Sequence, residues 1–167
     1  MRELLVMRHA KSDWESGAST DFERPLNKRG LKAAAFMGSV LKERQLIPDL
    51  IIHSPAKRAK KTFQLLSKEM DYTGDVLEVK GFYFGGVSEV YEQVRAIGDD
   101  YKRVLIIGHN PTWEQLVEEL TAGRNHVTMP TAAIARVLLS LESWADVMKS
   151  GHQLDWLITP KMLNSEL

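Results

Sequence analysis

Two short runs, LLVM at residues 4–7 and VLII at residues 104–107, are apolar at every position. A strand with one wet face alternates apolar and polar residues, whereas an unbroken apolar strand is covered on both faces. The run DLIIHSP, Asp49 to Pro55, reads the same way. Between these runs the period changes to that of a helix. In LNKRGLKAAAFMGSVLKERQL the positions Leu31, Ala34, Ala35, Met37, Val40 and Leu41 fall on one helical face, with Asn27 as N-cap and Pro48 closing the segment. AKRAKKTFQLLSKEM is a second helix, with Pro55 suited to its first turn and Ser54 to its cap. VLEVKGFYFG carries a weaker strand and a Gly-rich turn. SEVYEQVRAIG is a helix capped by Ser88, and TWEQLVEELTAG a helix from Thr112 to Gly123. A strand at Ala133–Leu141, a short helical or turn segment SWADVMKSG and a last strand HQLDWLITP complete the chain. Strands alternating with helices predict an α/β fold, a three-layer α/β/α sandwich with a mainly parallel central sheet. At 167 residues the whole chain, 1–167, is expected to form one domain.

In such sheets ligands bind outside the carboxyl ends of the strands. The first strand ends in Arg8-His9, the second in His53-Ser54-Pro55 with Arg58 one turn later, and the VLII strand in Gly108-His109-Asn110-Pro111. The stretches MRHAK, SPAKRAKKT and GHNPT together hold six Lys/Arg and no acid, in a chain where Lys+Arg and Asp+Glu are both 22. The balance gives no sign of a nucleic-acid or membrane partner, so the local excess of cations marks an anion site. Phosphate fits it. Arg binds phosphate oxygens in a bidentate fork and keeps its charge. An imidazole can attack phosphorus, and a second, protonated one can stabilise the transferring group. Arg8 and Arg58 beside His9 would hold it neutral, as a nucleophile must be. The absence of cysteine excludes disulfides, thiolate chemistry and Cys-based metal sites and fits a reducing compartment. With no signal-peptide pattern at the start and no apolar run near the ~20 residues of a membrane span, the protein reads as cytoplasmic.

Arg8-His9 after the first strand, SPAKRAKKT in the middle and GHNP after a later strand together resemble the histidine phosphatase superfamily, the phosphoglycerate mutase-like fold. MRHAKSDW, RPLNKRG and MPTAAIARVLL look most like its small SixA-type phosphohistidine phosphatases. The resemblance implies a hydrolase in which His9 becomes phosphorylated, Arg8 and Arg58 bind phosphoryl oxygens, and His109 stabilises the transition state. It implies no metal and no organic cofactor. Lys11, Ser12, Asn110 and Thr131 are expected to border the substrate. Two positions depart from the superfamily pattern. Ala10 stands where glycine is usual, and the acid that protonates an alcohol leaving group has no clear counterpart. Glu89 is the nearest candidate, and a Glu in a first helical turn is equally explained by the helix dipole. Without an acid, a leaving group that needs little protonation, such as the imidazole of phosphohistidine, would be favoured over a sugar alkoxide.

Other histidines and aromatics have plainer readings. A metal held by His9, His53 and His109 is disfavoured by the adjoining arginines. His53 reads as structural, and His126 and His152 as surface residues. Lys60 and Lys61 read as a solvated helix face. Trp14, Trp113, Phe82 and Tyr83 are packing residues or the walls of the mouth. The substrate is expected to be a phosphorylated protein or a small phosphorylated molecule. The alternatives are a metabolite phosphomonoesterase or mutase, and a phospho-ligand module that does not turn over.

Overall fold

The computed structural model describes residues 1–149 and 151–167. Its strands are β1 (Arg2–Arg8), β2 (Leu50–His53), β3 (Asp75–Glu78), β4 (Arg103–Gly108), β5 (Ile134–Leu139) and β6 (Gln153–Ile158). Its helices are α1 (Lys28–Glu43), α2 (Lys57–Met70), α3 (Gly81–Phe84), α4 (Val87–Arg95), α5 (Thr112–Leu120) and α6 (Pro160–Leu163), with a 3₁₀ turn at Trp144–Asp146. The strands form one sheet in the order β3-β2-β4-β1-β5-β6. The pairs β3-β2, β2-β4 and β4-β1 are parallel, while β5 and β6 are added antiparallel at one side.

The continuous apolar runs are explained by the two faces they serve. Leu5, Met7, Ile51, Leu105 and Ile107 point to α1 and α2, where they meet Ala34, Met37, Leu41 and Leu66. Leu4, Val6, Ile52, Val104 and Ile106 point the other way, to Val90, Trp113, Leu116 and Val117 of α4 and α5. Both sets are fully or almost fully buried. At ~1.5–3 kcal/mol for each large side chain removed from water, these two layers supply most of the drive to fold.

Several boundaries differ from the sequence reading. Asn27 does cap α1, accepting from the Gly30 N–H at 2.8 Å, but Leu31 lies on the outer side of that helix. Pro55 precedes the cap of α2, which is Ala56, so it is not in the first turn. The expected Gly-rich turn after β3 is the short helix α3. The next helix is capped by the extended backbone of Gly86, which puts Ser88 inside it. The α5 helix stops at Leu120, three residues before the expected Gly123: Ala122 turns left-handed, and the N–H groups of Ala122 and Gly123 close on the Glu119 and Glu118 carbonyls at 3.1 and 2.8 Å. His152 is buried, its N–H on the Leu120 carbonyl at 2.9 Å, where the chain returns under the end of α5. Residue 150, within the expected segment SWADVMKSG, lies outside the described residues. Among the described residues no helix is long and apolar enough to cross a membrane.

The helices α1 and α2 approach closely at Gly38. A Cβ there would sit 2.6 Å from the Leu66 carbonyl oxygen and 2.9 Å from Glu69 Cβ. Gly38→Ala is therefore expected to lower stability by about 1–3 kcal/mol in urea unfolding, by forcing the helices apart. Helix propensity alone predicts a gain of about 1 kcal/mol, so a more stable variant would refute the close approach.

Candidate active site

The three strand ends lie level. Arg8 of β1 pairs with Gly108 of β4, and His53 of β2 with Ile107. Hydrogen bonding continues one residue past each strand, from the His9 N–H to the Gly108 carbonyl at 3.0 Å and from the Ser54 N–H to the Ile107 carbonyl at 3.0 Å. Residues 9, 54 and 109 thus leave the sheet at one edge. The first turn of α2 brings Arg58 over them.

His9 is 6 % exposed. Its Nδ1 lies 2.7 Å from the Ala10 carbonyl, which only accepts, so in the neutral ring Nδ1 carries the proton. The lone pair is then on Nε2, and the Arg58 Nε–H points to it at 3.4 Å. Burial is the main reason that His9 is pushed down to about 3, and the charges of His109, Arg58 and Arg8 add to it. The neutrality expected from neighbouring arginines is thus present, with desolvation as the larger cause. His109 has the opposite tautomer. Its Nε2 is 2.7 Å from Ser54 Oγ, while its Nδ1 faces a donor of Arg58 at 3.5 Å. It is pushed down to about 4, by burial first and then by Arg58. The two rings lie 5.1 Å apart. Ser54 does not cap α2 but joins the Ala56 N–H, at 3.2 Å, to His109.

A cavity of about 340 Å³ opens over these groups. It is lined by Arg8, His9, Lys11, Ser12, Trp14, Arg24, Arg58, His109, Asn110 and Thr131. All eight residues expected around the phosphoryl group on its cationic side are therefore brought together. Glu89 is not among them. It sits at the third position of α4 against the backbone of Gly81 and Gly85, where the short α3 holds it away from the cavity. His53 is also apart, stacked on Phe63 at 4.7 Å, so no three-histidine cluster forms. Phe82 and Trp113 belong to the core, packed edge to face. Ala10 is fully buried in the layer under α1 and α2, its N–H on Thr62 Oγ1 at 3.0 Å, so its methyl group adds to packing rather than narrowing the cavity.

Two residues of the site were not singled out in the sequence. Asp21 and Arg24 lie in the polar loop after β1, whose feet are joined by pairing of Ser12 with Leu26 and an Asp13 N–H to Pro25 carbonyl bond of 2.8 Å. Arg24 is buried, reaches Ser12 Oγ and stacks on Trp14 with its guanidinium carbon 3.6 Å from the ring centre. Asp21 clasps Arg58. Its main-chain oxygen accepts from Arg58 Nη1 at 2.7 Å and its Oδ2 from Nη2 at 3.0 Å, while Tyr83 donates to the same Oδ2 at 2.8 Å and Arg24 to Oδ1 at 2.9 Å. Burial alone would raise this carboxyl, but the bonds from Arg24, Tyr83 and Arg58 outweigh it and hold it well below the usual carboxylate range. It stays ionised and is a poor proton donor. Nothing local marks these residues, because their partners are up to 62 residues away.

Arg8 donates to the Met129 carbonyl at 3.0 Å, and Asn110 Nδ2 donates to the same oxygen at 2.9 Å. The loop from Met129 to Ala132 is in turn tied to the backbone of β1's end, with the Ala132 N–H shared between the carbonyls of Arg8 and His9 at 3.1 and 3.0 Å. The result is a rigid cup of cations and imidazoles around a space that suits a tetrahedral oxyanion.

Residues 4–81 match the histidine phosphatase superfamily (branch 1). An uncharacterized protein of Mycobacterium tuberculosis is 32% identical over 150 residues, which cover 84% of this chain and 91% of that protein. The phosphohistidine phosphatase SixA homolog of Haemophilus influenzae is 30% identical over 149 residues, or 81% of this chain and 87% of that protein. The structure of the protein histidine phosphatase SixA complexed with tungstate superposes with a TM-score of 0.85 at 24% identity, covering 97% of this chain and 99% of that one. The chain belongs to the histidine phosphatase superfamily, in its SixA-type group, and is a phosphatase.

Two outcomes follow from this geometry. Asp21→Asn removes the charge that orients Arg58, and kcat/KM for an aryl phosphate is expected to fall about tenfold or more, in line with the worth of charged hydrogen bonds. A rise would show instead that Asp21 competes with substrate for Arg58. The second concerns acid. The unfolded chain protonates its histidines near 6.5, whereas folded His9 and His109 resist protonation until about 3 and 4. Between those values the unfolded state binds more protons, so stability drops as pH falls through 6.5. The Tm should decline between about pH 7 and pH 4, and less steeply in a His9→Gln/His109→Gln double variant.

Proposed function

We infer that the protein removes the phosphoryl group of N-phosphohistidine, through a phosphohistidine of its own on His9. The observation that carries this reading is the neutral His9, whose Nε2 lone pair faces a cavity lined by arginines, lysine and imidazole and by no carboxylic acid. In the first step the P–N bond of the substrate breaks and a bond from His9 Nε2 to phosphorus forms. The free nitrogen of the substrate ring takes a proton from solvent, as an imidazole does near pH 6.5, and the ring then leaves as neutral imidazole with the P–N electron pair, so no strong acid is needed beside it. Arg8, Arg58 and His109 surround the transferring oxygens. The two arginines neutralise charge that spreads over them, and a bound dianion draws a proton onto His109 by reversing the field that keeps it neutral when the cavity is empty. In the second step water attacks phosphorus, the bond to His9 Nε2 breaks, and inorganic phosphate leaves. Throughout, His9 Nδ1 keeps its proton and donates it to the Ala10 carbonyl. Lys11, Ser12, Asn110 and Thr131 line the side from which the rest of the substrate arrives.

Three further points support the choice of substrate. The carboxylate that touches Arg58, Asp21, is held ionised by its three donors and is a poor proton donor to an alkoxide leaving group. The relative from Haemophilus influenzae is named as a phosphohistidine phosphatase homolog, and the SixA structure holds tungstate, a tetrahedral oxyanion. The exposed Trp14 at the rim leaves the cavity open to a side chain presented on a protein.

Phosphate release is to be compared on phosphohistidine protein, p-nitrophenyl phosphate and sugar phosphates in the presence of EDTA. The first two should turn over and the sugar phosphates should lag by about 10²–10⁴, the usual worth of general acid catalysis. His9→Ala should abolish all turnover. Equal rates on sugar and aryl phosphates would show that an acid is present after all, and no turnover above the His9→Ala background would overturn the reading.

A further inference from the structure

A second cavity, of about 220 Å³, adjoins the first. The two share Lys11 and Thr131 as a common wall. Its other polar walls are Arg29 of α1, Thr159, and Lys161 of α6; Leu167 closes one side with its main-chain oxygen on Arg29, and its floor is Ala33, Pro130 and Pro160. No Asp or Glu side chain lines either cavity. Among the described residues neither Lys11, Arg29 nor Lys161 lies within 4.0 Å of a side-chain carboxylate oxygen. Arg29 spends one of its donors on the Leu167 main-chain oxygen at 3.0 Å and keeps the rest of its fork.

The wall between the cavities is fixed in place. The Lys11 carbonyl accepts from the Asn27 N–H at 3.0 Å and lies against Gly30, where a Cβ would stand 2.1 Å from it. Any side chain at position 30 would force the Lys11 backbone to shift. On the far side, Thr159 Oγ1 accepts from the Met162 N–H at 3.2 Å and Pro160 is buried, so the start of α6 is held where Lys161 reaches the opening. A different lysine-rich cavity exists at Lys57, Lys60 and Lys61, but it shares no residue with the His9 cavity, and Lys60 there is paired with Glu78 at 3.0 Å. Among the described residues, the Arg29–Lys161 cavity combines adjacency to the His9 cavity with cations not paired to side-chain carboxylates.

In a chain of balanced charge, three cations around one concave space raise the local concentration of anions. We propose that this cavity is a subsite for a second anionic group, a carboxylate or a phosphate, carried by the phosphorylated substrate. The phosphoryl group occupies the His9 cavity, Lys11 stands between the two charges, and Arg29 and Lys161 take the second. Selectivity then favours doubly anionic phosphoryl compounds over those with a lone phosphoryl group. The proposal rests on the His9 cavity being the phosphoryl site.

The test uses inert ligands. Alkane-α,ω-bisphosphonates and ω-carboxyalkylphosphonates of increasing methylene length are titrated calorimetrically against the matched monophosphonates. At one length the second group should tighten binding by about tenfold. That gain should vanish in an Arg29→Gln/Lys161→Gln double variant, with monophosphonate affinity, Tm and p-nitrophenyl phosphate turnover unchanged. The two ligand series tell whether carboxylate or phosphate is the better second group. A wild-type protein that shows no gain at any length, or a gain that survives the double variant, overturns the subsite. If the gain is seen without turnover of p-nitrophenyl phosphate, the subsite stands and the catalytic reading fails. If turnover is seen without the gain, the reverse holds. If the monophosphonates do not bind, both fall.

Discussion

The pairing of β4 between β1 and β2 is the constraint from which the site follows. All three strands run parallel, and their registers bring Arg8, Gly108 and His53 to one level. Because the pairing continues through the N–H groups of His9 and Ser54, the first residues beyond the sheet are held by backbone bonds and not by loop packing. The two apolar layers keep those strands from shifting, since a slip of one residue would exchange every side chain between the α1–α2 face and the α4–α5 face. The placement of an imidazole against an arginine to within hydrogen-bond distance is thus a property of the core.

Electrostatics then sets the state of each group. Removal from water keeps His9 and His109 neutral, and the cations reinforce it. The arginines cannot respond by losing charge, so the cavity holds a standing positive field over lone pairs that are not protonated. Asp21 partly offsets that field while it aligns Arg58, using both its carboxylate and its main-chain oxygen. One carboxylate held ionised at the edge of the cavity orients the cations. It leaves the supply of protons to solvent.

The sequence carried the sheet well, because unbroken apolar runs have few alternatives to a doubly covered parallel strand. It also carried the convergence of Arg8, His9, Arg58 and His109, since the ends of adjacent parallel strands meet. Features made by contacts between distant loops were not legible. Asp21 and Arg24 sit in a polar loop like any other and pair with each other three residues apart, and only folding of that loop onto α2 and Tyr83 brings the pair to Arg58. Helix ends were legible where a side chain does the capping, as at Asn27, and were misplaced where backbone alone does it, as at Gly86 and Ala56. The burial of His152 depends on the return of the chain beneath α5, for which its neighbours in sequence give no sign.

The two imidazoles share burial, neighbours and the direction of their shifts, yet they are not interchangeable. The Ala10 carbonyl fixes the proton of His9 on the ring nitrogen nearer its backbone, whereas the Arg58 donor facing Nδ1 of His109 leaves that ring's proton on the far nitrogen, beside the Ser54 hydroxyl. Both lone pairs then face Arg58, that of His9 at Nε2 and that of His109 at Nδ1. What tells the rings apart is the oxygen each meets on its other side, one a carbonyl adjacent in the chain and the other a hydroxyl from a neighbouring strand end. A chain that kept both histidines but exchanged those two oxygens would retain the charge of the site and lose its polarity.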